Sequence, residues 1–256
     1  MKTVILCGGY GSRLSEETTS KPKPMIKIGE YPILWHIMKR YNKFNIKDFI
    51  IALGYKGEYI KDYFYNYNIR NNNFSIDLGL SKTKFLNNKS ENWKIDLIDT
   101  GLNTMTGGRL LRLKPQLENE QMFMLTYGDG LSNINIDELV DFHKSHGKIG
   151  TMSVVKPTMK FGEVFLDSDG LVKKFQEKPE LNTGWINGGF FVFSPKIFDY
   201  IEDDSTMLER DPLENLVSDN ELMAFQHNGF WQCMDTMKEK QLLNSVWESG
   251  DAPWAK

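Results

Sequence analysis

The chain has 256 residues, a net charge of −3 and 40% apolar residues. That is enough for one sizeable core, and the near-neutral balance gives no global field towards nucleic acid or an anionic membrane. Any attraction for phosphate must therefore be local. Two cysteines, Cys7 and Cys233, make neither a disulfide framework nor a zinc spacing. No apolar run approaches the roughly 18 residues of a membrane span. Met1-Lys2 leads directly into a short strand rather than a leader, so a reducing, cytoplasmic setting is expected.

Thr3-Val4-Ile5-Leu6 is a β-favouring run that opens into Cys7-Gly8-Gly9-Tyr10-Gly11-Ser12-Arg13-Leu14, with Lys-Pro-Lys-Pro over 21–24. Glycines let backbone N–H groups approach a ligand closely, and Arg13 and the two lysines add positive charge, so this loop suits an anion. It is not a P-loop, because no Gly-Lys-Ser/Thr follows Gly11. Nor is it a dinucleotide fingerprint, because Leu14 stands where the third glycine belongs.

Pro32 starts a helix whose apolar positions Ile33, Leu34, Ile37, Met38 and Tyr41 share a face. Asp48–Leu53 reads as a strand, Gly54–Gly57 as a turn and Glu58–Tyr65 as a helix, the rhythm of a parallel sheet with ligands beyond the carboxyl ends of its strands. Residues 67–92 read as an exposed variable segment with one short strand over 74–78, or as an arm for oligomer contacts. Trp93–Asp99 alternates as a half-buried strand, and a loop from Thr100 to Gly108 leads to a helix beginning at Arg109. Met122–Thr126 is a buried strand ending in Tyr127-Gly128-Asp129-Gly130, which exposes Asp129 among small neighbours as a candidate magnesium carboxylate. Asp137–Ser145 is helical, and His143 and His146 read as solvated residues near its end, with no third ligand for a metal.

Strands follow over 151–155, 161–166, 172–176 and 185–193, separated by turns rather than long helices. They suggest a smaller, partly antiparallel lobe beside the sheet. Short helices over 197–201 and 212–217, a strand over 221–226 and a terminal helix after Asp235 complete the chain. Asp235 reads as the N-cap of that helix. Cys7 and Cys233 read as inert thiols, and Trp247 and Trp254 of the tail as packing on the core or on a neighbouring subunit. The expected class is α/β: a Rossmann-like, mostly parallel sheet flanked by helices, in a single domain over 1–256.

Gly8 to Leu14 with Lys-Pro-Lys-Pro-Met ending at Met25 resembles the signature of the sugar-nucleotide pyrophosphorylases, with Ser12 where most members carry Thr. Ser15–Thr18, Ile33–Met38, Thr106–Leu110, Thr126–Gly130 and Phe230-Trp231 resemble the branch of that family that joins CTP to glucose 1-phosphate. The resemblance covers nearly the whole chain and is weakest over 66–92. It implies a Mg²⁺-dependent nucleotidyl transfer giving CDP-glucose, in a homo-oligomer, apparently a hexamer, making a precursor of surface polysaccharide sugars.

Residue by residue, it implies catalytic roles for Arg13, Lys23, Asp129 and Lys178, with Asp129 and Asp235 as the metal carboxylates. Leu6, Gly8, Gly9, Gly11, Ser12, Arg13, Lys23, Thr104, Gly107, Arg109 and Gly128 would bind the nucleotide. Glu177, Lys178, Asn187 and Gly188 would bind the sugar phosphate. Residues 1–135 would mainly serve the nucleotide, and 136–256 the sugar phosphate. Residue chemistry alone specifies only a triphosphate and a sugar phosphate, which leaves UTP or dTTP with another sugar open, as well as a binding subunit without activity.

Overall fold

A computed structural model of the chain describes residues 1–156, 163–166, 168–176 and 184–256. In chain order, the elements that position the site are β1 (Lys2–Leu6), α1 (Ile33–Lys43), β2 (Asp48–Leu53), α2 (Gly57–Tyr65), β3 (Lys94–Asp99) and α3 (Thr106–Arg112). They are followed by β4 (Phe123–Tyr127), α4 (Ile136–His146), β5 (Gly150–Val155), β6 (Ile186–Phe193), β7 (Leu222–His227) and α5 (Met237–Glu248). The seven strands form one sheet in the order β7-β5-β6-β4-β1-β2-β3.

All are parallel except β6, which runs against both β4 and β5. The reversal carries the start of β6, at Ile186 and Asn187, to the end of the sheet where β1, β2, β3 and β4 finish. The expected lobe is thus smaller than the strand pattern suggested. The strands over 150–155 and 186–193 belong to the main sheet, and only Glu163–Leu166 and Val172–Gln176 pair separately as an antiparallel hairpin. Strand direction is set by pairing partners, which local composition does not encode.

The central strands read as continuous apolar runs because both faces are covered. Ile5, Phe49, Ile51 and Met124 face α1 and α5, while Val4, Ile50, Leu125 and Phe191 face α3 and the segment around Ile197 and Leu213. Trp254 is 2% exposed and packs in the first of these layers, with Trp247 stacked parallel to it. Each such side chain withdrawn from water contributes roughly 1.5–3 kcal/mol before the entropy of ordering is subtracted.

Residues 67–92 hold more structure than a loop: a short helix Tyr67–Asn71 and an antiparallel hairpin, Phe74–Asp77 with Lys82–Phe85. The hairpin is exposed throughout, including Ile76, Leu78 and Leu80. The histidines of α4 also differ from expectation. His143 is buried, and its Nδ1 and the Nε2 of His146 both meet the Thr151 hydroxyl, at 2.9 and 2.7 Å. Burial lowers the His143 pKa to about 4, with His146 adding to the effect. The last turn of α4 lies against β5, so these rings face the sheet rather than solvent. Among the described residues no helix is long and apolar enough to cross a membrane.

Candidate active site

The carboxyl end of the parallel strands opens into a cleft of about 660 Å³. The glycine loop forms one wall. Arg109, near the end of α3 and 4% exposed, ties this wall together. Its Nη1 donates to Leu53 O, the Thr100 hydroxyl and Gly101 O, and its Nη2 to Gly8 O and Leu102 O, at 2.6–3.1 Å. One buried guanidinium thus joins the exits of β1, β2 and β3. Gly8 permits this approach: a Cβ there would lie 2.2 Å from the guanidinium carbon. Arg109 is therefore a buried brace that also lines the cleft.

The loop then turns through Ser12–Leu14, and the Arg13 side chain, 75% exposed, donates from Nη1 to Asp235 Oδ2 at 2.5 Å. Lys23 sits in the turn Lys23–Met25, which starts after Pro22 and carries Pro24. Its ammonium donates to Asp129 Oδ2 at 2.6 Å and to Asp235 Oδ1 at 2.5 Å. Burial disfavours the Lys23 charge, but the two carboxylates outweigh burial and hold its pKa above the ordinary lysine value.

Residues 106 positions apart in sequence, Lys23 and Asp129, meet through the sheet, since β1 and β4 are neighbours. Asp235 arrives through a second, smaller device. Gly130–Ser132 pairs antiparallel with Trp231–Cys233, in a register that sets Cys233 opposite Gly130. Met234 N–H donates to Asp129 O at 2.9 Å, which continues the ladder and sets the two aspartates side by side.

Asp235 does not cap α5. Thr236 does, in a reciprocal capping box with Glu239, and Glu239 also accepts from the Asp235 N–H at 2.7 Å. The Asp235 carboxylate instead faces the cleft, where it accepts from Arg13 and Lys23. Thr-Met-Lys-Glu over 236–239 was a legible capping-box signal.

Leu6, Gly8, Gly9, Gly11, Ser12, Arg13, Lys23, Thr104, Arg109, Gly128, Asp129, Asn187 and Asp235 all line the cleft. Two expected residues do not. Gly107 lies within α3, which begins at Thr106 rather than Arg109, and packs against Thr206 and Leu208; Gly188 packs against Ser153 and accepts from the Trp231 indole at 2.7 Å. Glu177 and Lys178 lie outside the described residues. The cleft also contains groups that the sequence did not single out: Tyr10, which donates to Asn103 Oδ1 at 2.7 Å, and Tyr127, Thr106 and Glu209.

Neither thiol is a nucleophile at neutral pH. Burial raises the Cys7 pKa, with Asp129 adding to it, and burial with Asp235 and Glu239 nearby pushes Cys233 up to about 12. The arrangement is instead one of fixed cations, backbone donors and two converged carboxylates. It suits the charge of phosphates in transfer.

The mostly parallel sheet with this cleft at its carboxyl end makes an α/β protein, and residues 2–244 match the nucleotidyl transferase family, to which the chain belongs. It is 48% identical to the glucose-1-phosphate cytidylyltransferase of Salmonella typhi, over 99% of this chain and 98% of that one. It is 45% identical to the probable glucose-1-phosphate cytidylyltransferase of Bacillus subtilis (strain 168), over 99% of each. Among solved structures, HddC from Yersinia pseudotuberculosis shares the fold, with a TM-score of 0.70 at 23% identity, over 96% of this chain and 99% of that one. A UDP-glucose pyrophosphorylase complexed with UDP-glucose has a TM-score of 0.67 at 14% identity, over 97% and 98%.

Proposed function

We propose that the protein transfers a cytidylyl group from CTP to α-D-glucose 1-phosphate, giving CDP-glucose and pyrophosphate. The observation that carries this reading is the convergence of Asp129 and Asp235 on one ammonium, beside a glycine loop, in a chain nearly half identical to named glucose-1-phosphate cytidylyltransferases.

A phosphate oxygen of the sugar 1-phosphate attacks the α-phosphorus in line. The new O–P bond forms as the bond to the β-phosphate oxygen breaks, and pyrophosphate leaves with that electron pair. Phosphate is already a competent nucleophile, so no strong base is needed and the residues work by positioning and neutralisation. Backbone N–H groups of Gly8, Gly9 and Gly11 with Ser12 and Arg13 hold the triphosphate. Lys23 neutralises charge developing between the α- and β-phosphates. Thr104 and Gly128 border the nucleotide, and Arg109 keeps the three strand exits in register beneath it. Lys178 places the attacking phosphate, while Glu177 and Asn187 take sugar hydroxyls. Residues 1–135 thus serve mainly the nucleotide and 136–256 the sugar.

The donor set fits magnesium: two carboxylates aimed at one cation, leaving the remaining positions to phosphate and water, is how Mg²⁺ is usually held. Asp129 and Asp235 would hold the ion, which supplies charge neutralisation and alignment at the phosphates. The exposed apolar hairpin of residues 74–85 supports self-association into a homo-oligomer, in hexamers, which light scattering on the purified protein tests. The setting is cytoplasmic, and the product feeds synthesis of surface polysaccharide sugars.

The function is tested by pyrophosphate release with glucose 1-phosphate and Mg²⁺, comparing CTP, UTP, dTTP, ATP and GTP. Turnover with CTP alone is expected. Preference for another triphosphate would overturn the assignment of the base, and binding of CTP without turnover would overturn catalysis.

A further inference from the structure

A line of side chains crosses the cleft away from the phosphate loop. Glu209 accepts from the Tyr127 hydroxyl at Oε1 and from the Thr106 hydroxyl at Oε2, each at 2.6 Å. The Asn187 amide nitrogen donates to the Tyr127 oxygen at 3.2 Å, and its Oδ1 accepts from Gly189 N–H at 2.8 Å.

The direction of every bond is forced. Carboxylate oxygens accept, so both hydroxyl hydrogens are committed to Glu209, and the Tyr127 oxygen is left to accept from Asn187. Gly189 N–H fixes which end of the amide is which. Only glycine suits that position, because its φ is +78° and a Cβ would lie 2.7 Å from the Tyr127 ring. Asn187 is therefore presented to the cleft in one orientation, with one amide hydrogen lacking a partner among the described residues. Thr106 opens α3 on the nucleotide side, whereas Tyr127 ends β4 and Asn187 begins β6. Glu209 is the group joined to both.

We propose that Glu209 is a positioning residue for the sugar phosphate: through the Tyr127 hydroxyl it orients the Asn187 amide that takes a sugar hydroxyl, and through Thr106 it keeps that amide in register with the bound nucleotide. This rests on the reading that the cleft takes a sugar phosphate beside a nucleoside triphosphate. A glutamine at 209 keeps the shape but turns an N–H donor towards one of the two hydroxyls, so that hydroxyl must accept instead of donate, and the charge that strengthened both bonds is gone.

The test is steady-state kinetics of the full chain with CTP, glucose 1-phosphate and Mg²⁺. Glu209→Gln is expected to raise KM for glucose 1-phosphate about tenfold, the worth of one charge-assisted hydrogen bond, with KM for CTP changed less than about twofold. Tyr127→Phe is expected to show the same split, and the double variant to be no worse than the poorer single one, because both break one line of bonds. If Glu209→Gln does not fold, the split in Tyr127→Phe decides alone. An unchanged KM for glucose 1-phosphate, an equal rise for both substrates, or additive losses in the double variant would overturn the proposal. Absence of turnover in the unsubstituted protein would overturn the underlying reading; turnover without the split overturns this inference alone.

Discussion

Replacing Lys23 by methionine removes one ammonium and keeps an unbranched stem. In the native site that ammonium lies 2.6 Å from Asp129 and 2.5 Å from Asp235, with side chains 10%, 30% and 16% exposed respectively. Lys23→Met leaves two carboxylates facing each other, with Arg13 still bonded to Asp235. Breaking a fully buried pair on one side costs about 3–5 kcal/mol; Arg13 and the partial exposure of Asp129 reduce the expected loss to roughly 2 kcal/mol. Urea unfolding in chelator should show it as a lower midpoint at unchanged slope. Adding Mg²⁺ should recover part of the loss, because a cation that binds only the folded state stabilises it. Turnover should fall about 10²–10³-fold, the usual effect of removing one preorganised charge stabiliser. Pyrophosphate release by folded, purified Lys23→Met measures this. Near-normal turnover, or a midpoint in chelator equal to that of the parent, would refute the reasoning.

His36 predicts an acid-sensitive fold. Its Nε2–H donates to Ile28 O at 2.9 Å, its Nδ1 accepts from the Trp254 indole at 3.3 Å, and burial lowers its pKa from 6.5 to about 4. Between those values the unfolded chain binds more protons, so the stability present above pH 6.5 declines as pH falls towards about 4. This residue costs about 2 kcal/mol between pH 7 and pH 5 and about 3 kcal/mol once pH reaches about 4, visible as a falling urea midpoint; His36→Asn should make the profile shallower, with the buried His143 keeping part of the slope. Gly8→Ala drives a methyl into the Arg109 guanidinium; a loss of about 1–3 kcal/mol and a raised KM for CTP are expected, and unchanged thermal unfolding would contradict the bracing role. Thr236→Ala removes the cap of α5 and should lower stability by about 1 kcal/mol. The same change should weaken Mn²⁺ binding measured by titration, because Thr236 rather than Asp235 caps the helix and the Asp235 carboxylate faces the cleft.

The parts of the protein legible in its sequence are those with local causes. Apolar runs such as Phe123–Tyr127 become buried strands because no other state covers them, and the glycines after Leu6 mark a close backbone approach. Asp129 and Asp235 were legible as candidates, but their meeting was not, since it depends on the pairing of Gly130–Ser132 with Trp231–Cys233. Glu209 carried no signal. Its partners Thr106 and Tyr127 lie 103 and 82 positions away, and its own segment has no periodicity. His143 was misjudged for a related reason: Thr151, which its ring meets, belongs to the next strand. Arg109 was legible as a candidate contact, but not the five acceptors from three strand exits that surround its guanidinium, because they come together only through the sheet.

The most direct measurement of the central claim is the configuration at phosphorus. CTP made chiral by sulfur at the α-phosphate is incubated with glucose 1-phosphate, Mg²⁺ and the protein, and the product is analysed by ³¹P NMR. Direct attack of the sugar phosphate at this site predicts CDP-glucose bearing sulfur with inverted configuration. Retention would demand a covalent nucleotidyl-protein intermediate in place of direct attack by the sugar phosphate, and would contradict the account.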